Sequence, residues 1–108
     1  MKFGLKNQDI EKIAGVFSNY PEVNEAIIYG SRAKGNYRKG SDIDLTLVGV
    51  DDYSIKVKIA LDLDNLLLPY KLDLSLLSQI DDREMLNHIK RVGTVFYKRS
   101  GLPTAAVI

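Results

Sequence analysis

The chain has 108 residues, with 15 Lys and Arg against 14 Asp and Glu and a net charge of +1. That length suits one small domain, and 45% hydrophobic with 27% charged residues is the balance of a soluble globular protein. With no cysteine and one histidine, His88, disulfides, Cys-ligated zinc, Fe–S clusters, thiol catalysis and multi-histidine metal sites are excluded.

In chain order, Asn7 is expected to cap a helix over 8–19, where Ile10, Ile13, Ala14 and Phe17 make the apolar stripe and Pro21 ends it. NEAIIY (24–29) reads as a strand stopping at Gly30. A loop with one helical turn near Arg32–Lys34 follows, then a second strand, DIDLTLV (42–48). Asp51 or Asp52 is expected to cap a helix running to about Leu68, closed by Pro69. KLDLSLL (71–77) is a third strand. Asp81 is expected to cap a helix over 82–92, with Met85, Leu86, Ile89 and Val92 inward and Gly93 as C-cap. TVFYK (94–98) is the last strand. The order α-β-β-α-β-α-β implies an α+β domain over 1–99, a small mixed sheet with helices packed on one face. The tail 100–108 shows no clear pattern. No apolar run approaches the ~20 residues of a membrane span. MKFGLKNQDIEKI has no signal-peptide core, so a cytoplasmic protein is expected.

The charge is unevenly spread. Residues 30–41, GSRAKGNYRKGS, hold Arg32, Lys34, Arg38 and Lys39 and no acid. A short basic glycine-rich loop in an otherwise mildly acidic domain suits a compact anion such as a triphosphate better than a long polyanion. A solvated turn has the same composition. Tyr37, in this loop, is either a base-stacking aromatic or an exposed turn residue.

Strand alternation groups the carboxylates. Ile43, Leu45 and Leu47 share one face of the second strand, and Asp42, Asp44 and Thr46 the other. In the third strand Leu72, Leu74 and Leu76 oppose Lys71, Asp73 and Ser75. If the two strands are neighbours over one core, Asp42, Asp44 and Asp73 project onto one surface. Clustered carboxylates repel without a cation, and hard oxygen ligands favour Mg²⁺, with Mn²⁺ as the alternative. A plain wet strand face is the other reading of the same pattern. Asp62 and Asp64 also form a D-x-D, but on a helix, where residues two apart diverge. The loop lacks the lysine of a Walker A motif and the glycine pattern of a dinucleotide fold, and DIDLTLV lacks the glycine and glutamate of an EF-hand. His88 is expected near the exposed side of the last helix.

A strand, Gly30-Ser31, ten residues, then Asp42-x-Asp44 on a strand resembles the signature of the DNA polymerase β-like nucleotidyltransferase superfamily. The spacing G-S-x10-D-x-D, within IIYGSRAKGNYRKGSDIDLTLVG (27–49), is similar to that of its minimal nucleotidyltransferase (MNT) family, as found in the antitoxins of HEPN/MNT pairs. The resemblance implies a polymerase β palm-like fold. It also implies two Mg²⁺ ions on catalytic and metal-ligating Asp42, Asp44 and Asp73, and a nucleotide held by Gly30, Ser31, Arg32 and Ser41. It implies further that AMP passes from ATP to a tyrosine hydroxyl of a HEPN RNase toxin, with toxin and antitoxin in a hetero-oligomer and no direct role for nucleic acid or membrane. Two other functions remain open. One is a non-catalytic metal–NTP module that neutralises a partner by binding. The other is a small-molecule transferase resembling aminoglycoside nucleotidyltransferases, with the acceptor surface on a second subunit. The apolar residues Leu102, Ala105, Ala106, Val107 and Ile108 are a candidate partner contact.

Overall fold

The computed structural model describes residues 1–99; the tail 100–108, with its candidate contact residues, lies outside them. Eight of the nine elements over these residues follow the expected order, and a 3-10 turn after the third strand is the addition. Helix α1 spans Asn7–Ser18, and Ile13, Val16 and Phe17 are its buried apolar residues. Asn7 is its first residue rather than its cap. Lys6 occupies the cap position and makes no side-chain cap bond. Strand β1, Glu25–Tyr29, is buried at all five positions. It runs directly into the one-turn helix α2, Gly30–Lys34. Strand β2 is Ile43–Val48.

Helix α3, Tyr53–Asp64, starts at Asp52, whose carboxylate accepts from the Ser54 amide at 2.8 Å. It ends short of Leu68. The Leu66 and Leu67 amides bond back three residues, to Leu63 and Asp64, and Leu67 turns to φ 56°. Strand β3 is Leu72–Leu76, followed by a 3-10 turn at Leu77–Gln79. Helix α4, Arg83–Val92, is capped by Asp82 rather than Asp81, through the Glu84 and Met85 amides. Gly93 follows it at φ −61°, so its value lies in space rather than handedness. A Cβ there would collide with the Ile89 carbonyl and lie 2.9 Å from Ile27 Cγ2. Strand β4 is Thr94–Lys98.

The sheet order is β3-β2-β1-β4. β1 is antiparallel to β2 and β4, and β2 is parallel to β3. One face carries Ala26, Ile28, Ile43, Leu45, Leu47, Leu74 and Leu76 against Ile13, Val16 and Phe17 of α1 and Ile59 and Leu63 of α3. Full burial of one such side chain contributes about 1.5–3 kcal/mol. This is the expected α+β domain with a small mixed sheet.

The layering needs one correction. Ile27 and Tyr29 alternate to the other face, where Ile89 of α4 covers them with Val48, Leu77, Ile80 and Val92 around it. Helices therefore lie on both faces. The reason is the narrowness of the α4 stripe. Ile89 is buried, whereas Met85, expected inward, is 37% exposed. With Ile89 as its one buried residue, α4 covers only part of that face.

Candidate active site

Strand register decides which side chains meet. Tyr29 of β1 pairs with Asp44 of β2, and Asp44 pairs with Asp73 of β3. Neighbouring strands lie about 4.8 Å apart, so the phenol and two carboxylates form one row across three strands, on the face opposite the main core. Asp42 stands two residues before Asp44, just ahead of β2, and is exposed like Asp73, whereas Asp44 is half-buried. The three aspartates singled out in the sequence thus share one end of one face.

Crowding shows in the protonation behaviour. Burial pushes the Asp44 carboxyl up, and the Asp73 and Asp42 carboxylates push it further; His88 and Lys71 partly offset this. Burial likewise pushes the Tyr29 phenol up, aided by the fields of Asp44 and Asp73 and opposed by its contact with Ser75. Tyr29 Oη lies 3.5 Å from Ser75 Oγ. A divalent cation is the ligand that relieves repulsion of this kind, and the donors present are the hard oxygens that Mg²⁺ or Mn²⁺ prefers. Among the described residues, no three His, Asp or Glu side chains stand close enough together to enclose an ion in this conformation. The donor chemistry fits a metal; the carboxylates are adjacent rather than converged.

Gly30 lies against this row. Its φ is 74°, and a Cβ on it would collide with Asp44 Oδ2. Any other residue would be both strained and blocked there. Ser31 is half-buried at the start of α2, next to that contact, and its carbonyl accepts from the Gly35 amide at 2.9 Å. Gly30 and Ser31 are therefore held beside Asp44.

Arg32 and Ser41 are engaged elsewhere. The Arg32 side chain is buried, at 3% exposure. Its Nη1 donates to the Phe3 carbonyl at 2.9 Å, while Nε and Nη2 donate to the Ser41 carbonyl at 3.1 and 2.9 Å. The guanidinium sits between the rings of Tyr37 and Tyr70, 5.5 and 5.1 Å from their centroids. A planar fork meets carbonyls and ring faces together in a way that lysine does not. Ser41 accepts the Arg38 amide on Oγ at 2.8 Å and so closes a turn. These two residues shape the basic loop rather than line the carboxylate row. Tyr37 also packs on Gly4, where a Cβ would strike its ring. Lys34, Arg38 and Lys39 remain exposed.

His88 is the residue that the sequence reading misplaced. Its Nε2 accepts from the Gly30 amide at 3.1 Å, and its ring meets Tyr29 edge-on, with centroids 6.1 Å apart at 80°. The available signal was its phase: it adjoins Ile89 and lies one turn before Val92, on the flank of the buried stripe. Lys71, just ahead of β3, adds positive charge beside Asp44. Two concavities mark the surface. One of about 340 Å³ is lined by Leu77, Leu86 and Ile89 among others, and one of about 280 Å³ lies against Arg32, Tyr37, Arg38 and Lys39. Neither is lined by the three aspartates.

No helix among the described residues is long and apolar enough to cross a membrane. The chain's fold is similar to that of three solved toxin–antitoxin structures. A toxin–antitoxin complex with AMP-PNP is 21% identical, with 89% of this chain and 76% of the other covered at a TM-score of 0.65. A tri-AMPylated Shewanella oneidensis HEPN toxin in complex with an MNT antitoxin is 18% identical, with 88% and 74% covered at 0.64. An MntA–HepT toxin–antitoxin is 18% identical, with 87% and 74% covered at 0.63. No curated protein matches the chain. The family model for Polymerase beta, Nucleotidyltransferase matches residues 11–101, a span that takes in β1, the Gly30-Ser31 turn and all three aspartates. The chain belongs to that nucleotidyltransferase family.

Proposed function

We propose that this nucleotidyltransferase domain moves AMP from Mg²⁺–ATP to a tyrosine hydroxyl of a HEPN toxin and so serves as its antitoxin. The observation that carries the reading is the row Tyr29–Asp44–Asp73 with Gly30 against Asp44. Its likeness in fold to antitoxins, one of them with an AMPylated toxin, supports the choice of acceptor. So does the open setting of the carboxylates, which lets an acceptor protein form the second wall of the cleft.

Asp42, Asp44 and Asp73 would hold the metal. Mg²⁺ held there would supply positive charge to the phosphates. Gly30 lets the triphosphate approach the backbone, and the Ser31 hydroxyl donates to it. Asp73 takes the proton of the acceptor hydroxyl. The bond formed joins that oxygen to the α-phosphorus, the α–β phosphoanhydride breaks, and pyrophosphate leaves. Arg32 and Ser41 act indirectly, by closing the loop that carries Lys34, Arg38 and Lys39. The product places a bulky anion on the acceptor, which repels a nucleic-acid phosphate.

The second reading is a metal–NTP-binding module that neutralises its partner by complex formation without turnover. Co-expression with a HEPN partner separates the two. The expected result is a partner heavier by one or more AMP residues, with the gain lost in the Asp42→Asn/Asp44→Asn double variant. An unmodified yet neutralised partner would assign the binding role.

A further inference from the structure

We infer that His88 is a positioning residue that sets the distance between the Gly30-Ser31 turn and Asp44. The inference rests on the transfer reading above and adds a residue from outside the motif. Three contacts carry it. Gly30, at φ 74°, sends its amide to Nε2 of His88 at 3.1 Å. On the other side, the α-carbon of Gly30 abuts Asp44 Oδ2 so closely that no Cβ fits between them. The imidazole stands edge-on to Tyr29, which shares the Asp44–Asp73 row.

The turn is therefore gripped from two directions. Strand β1 feeds into it without a linker, so nothing between Tyr29 and Gly30 absorbs movement. Helix α2 is a single turn and has little stiffness of its own. One hydrogen bond, donated by the Gly30 amide to a half-buried imidazole, ties Gly30 to α4. To accept on Nε2, that ring carries its proton on Nδ1. The Gly30 amide is thereby committed to the protein and is not a phosphate donor. That leaves the neighbouring Ser31 as the donor of the turn. A looser Gly30 lets Ser31 drift from its place beside Asp44 and weakens its grip on the non-reacting phosphates. The turn holds the non-reacting phosphates in ground and transition states alike, so its loosening raises KM for ATP and leaves kcat nearly unchanged.

Two variants separate the bond from the packing. His88→Phe keeps a ring against Tyr29 and removes the acceptor. His88→Gln keeps an acceptor near the Nε2 position and removes the ring. In the parent, imidazole ¹⁵N resonances report the Nδ1–H form and the Gly30 amide exchanges slowly with solvent. In His88→Phe, Gly30 exchange accelerates by about tenfold or more and Mg²⁺–ATP binds about five- to tenfold more weakly, as loss of one neutral hydrogen bond implies. His88→Gln restores both to within about twofold of the parent. His88→Phe binding Mg²⁺–ATP as tightly as the parent, or His88→Gln behaving like His88→Phe, overturns the inference. A parent that binds no Mg²⁺–ATP overturns the transfer reading instead, and Gly30 exchange in the two variants then decides whether His88 holds the turn.

Discussion

Under α1 and α3 the sheet presents Ala26, Ile28, Leu45 and Leu47, closed off from water. Under α4 the same strands present Tyr29, Asp44 and Thr46, with Asp73 alongside. The sheet's two buried polar side chains, Glu25 and Thr46, alternate to this second face, and Glu25 Oε2 and Thr46 Oγ1 find no hydrogen-bond partner among the described residues. An unpaired buried polar atom costs about 1–3 kcal/mol. The first face is apolar, whereas the second carries buried polar side chains beside the charged row. Because each strand alternates, one register fixes both faces: a slip of one residue would exchange them.

The largest expected effect is on the charged face. Asp44→Asn should lower AMP transfer by on the order of a thousandfold or more, about 4 kcal/mol of barrier. Asp73→Asn should match that loss while Mg²⁺–ATP still binds within about threefold of the parent, because Asp42 and Asp44 remain to hold the ion. Labelled-ATP transfer and equilibrium titration, run on the same samples, read the two quantities. Equal loss of both in Asp73→Asn would remove it from the proton-accepting role.

The dry face should respond in the other currency. Leu45→Ala, at a fully buried position, should cost about 3 kcal/mol and lower Tm by more than about 10 °C. The surviving folded fraction should retain ATP affinity. Urea unfolding with a parallel nucleotide titration checks this, and a specific loss of affinity would show that the two faces are not separable.

The smallest effect sharpens the contrast by its sign. The Asp44 carboxyl is raised in the fold above its ordinary 3.8, by burial and then by Asp73 and Asp42. Protonation of Asp44 thus favours the folded state. Its contribution is fully present below the ordinary value and is lost as pH rises through the raised one. Asp44→Asn mimics the protonated form at every pH. Its stability should equal the parent's in acid and exceed it near neutrality by about 0.5 kcal/mol, the size of a like-charge cross-strand pair. Urea midpoints of both proteins across that range test the sign; a destabilised variant near neutrality would contradict it.

Where one physical rule governed, the fold was legible. Alternation in DIDLTLV and KLDLSLL put Asp42, Asp44 and Asp73 on the face away from the core, and register then brought Asp44 and Asp73 side by side. The stripe of α1 was legible because Ile13 and Phe17 recur at helical spacing and both are buried. The placement of α4 was not. REMLNHIKRV contributes only Ile89 to the buried set, too thin a signal to choose a face. Arg32 was read as a phosphate contact because charge is visible in sequence and carbonyl partners are not. Its bonds go to the backbone of Phe3 and Ser41, which any residue type would offer. His88 failed for a related reason: its partner is the amide of a glycine 58 residues away.

The position of β3 at the sheet margin has its own consequence. Among the described residues β2 has a strand on either side, whereas β3 has only β2, and through the parallel kind of ladder, which is slightly weaker per residue than the antiparallel kind. Partial openings of a native protein begin at such margins. An opening that began at β3 would take Asp73 with it and leave Gly30, Ser31, Asp42 and Asp44 in place. The residue proposed to receive the proton thus sits on a marginal strand, and those proposed to hold nucleotide sit on or beside the central pair.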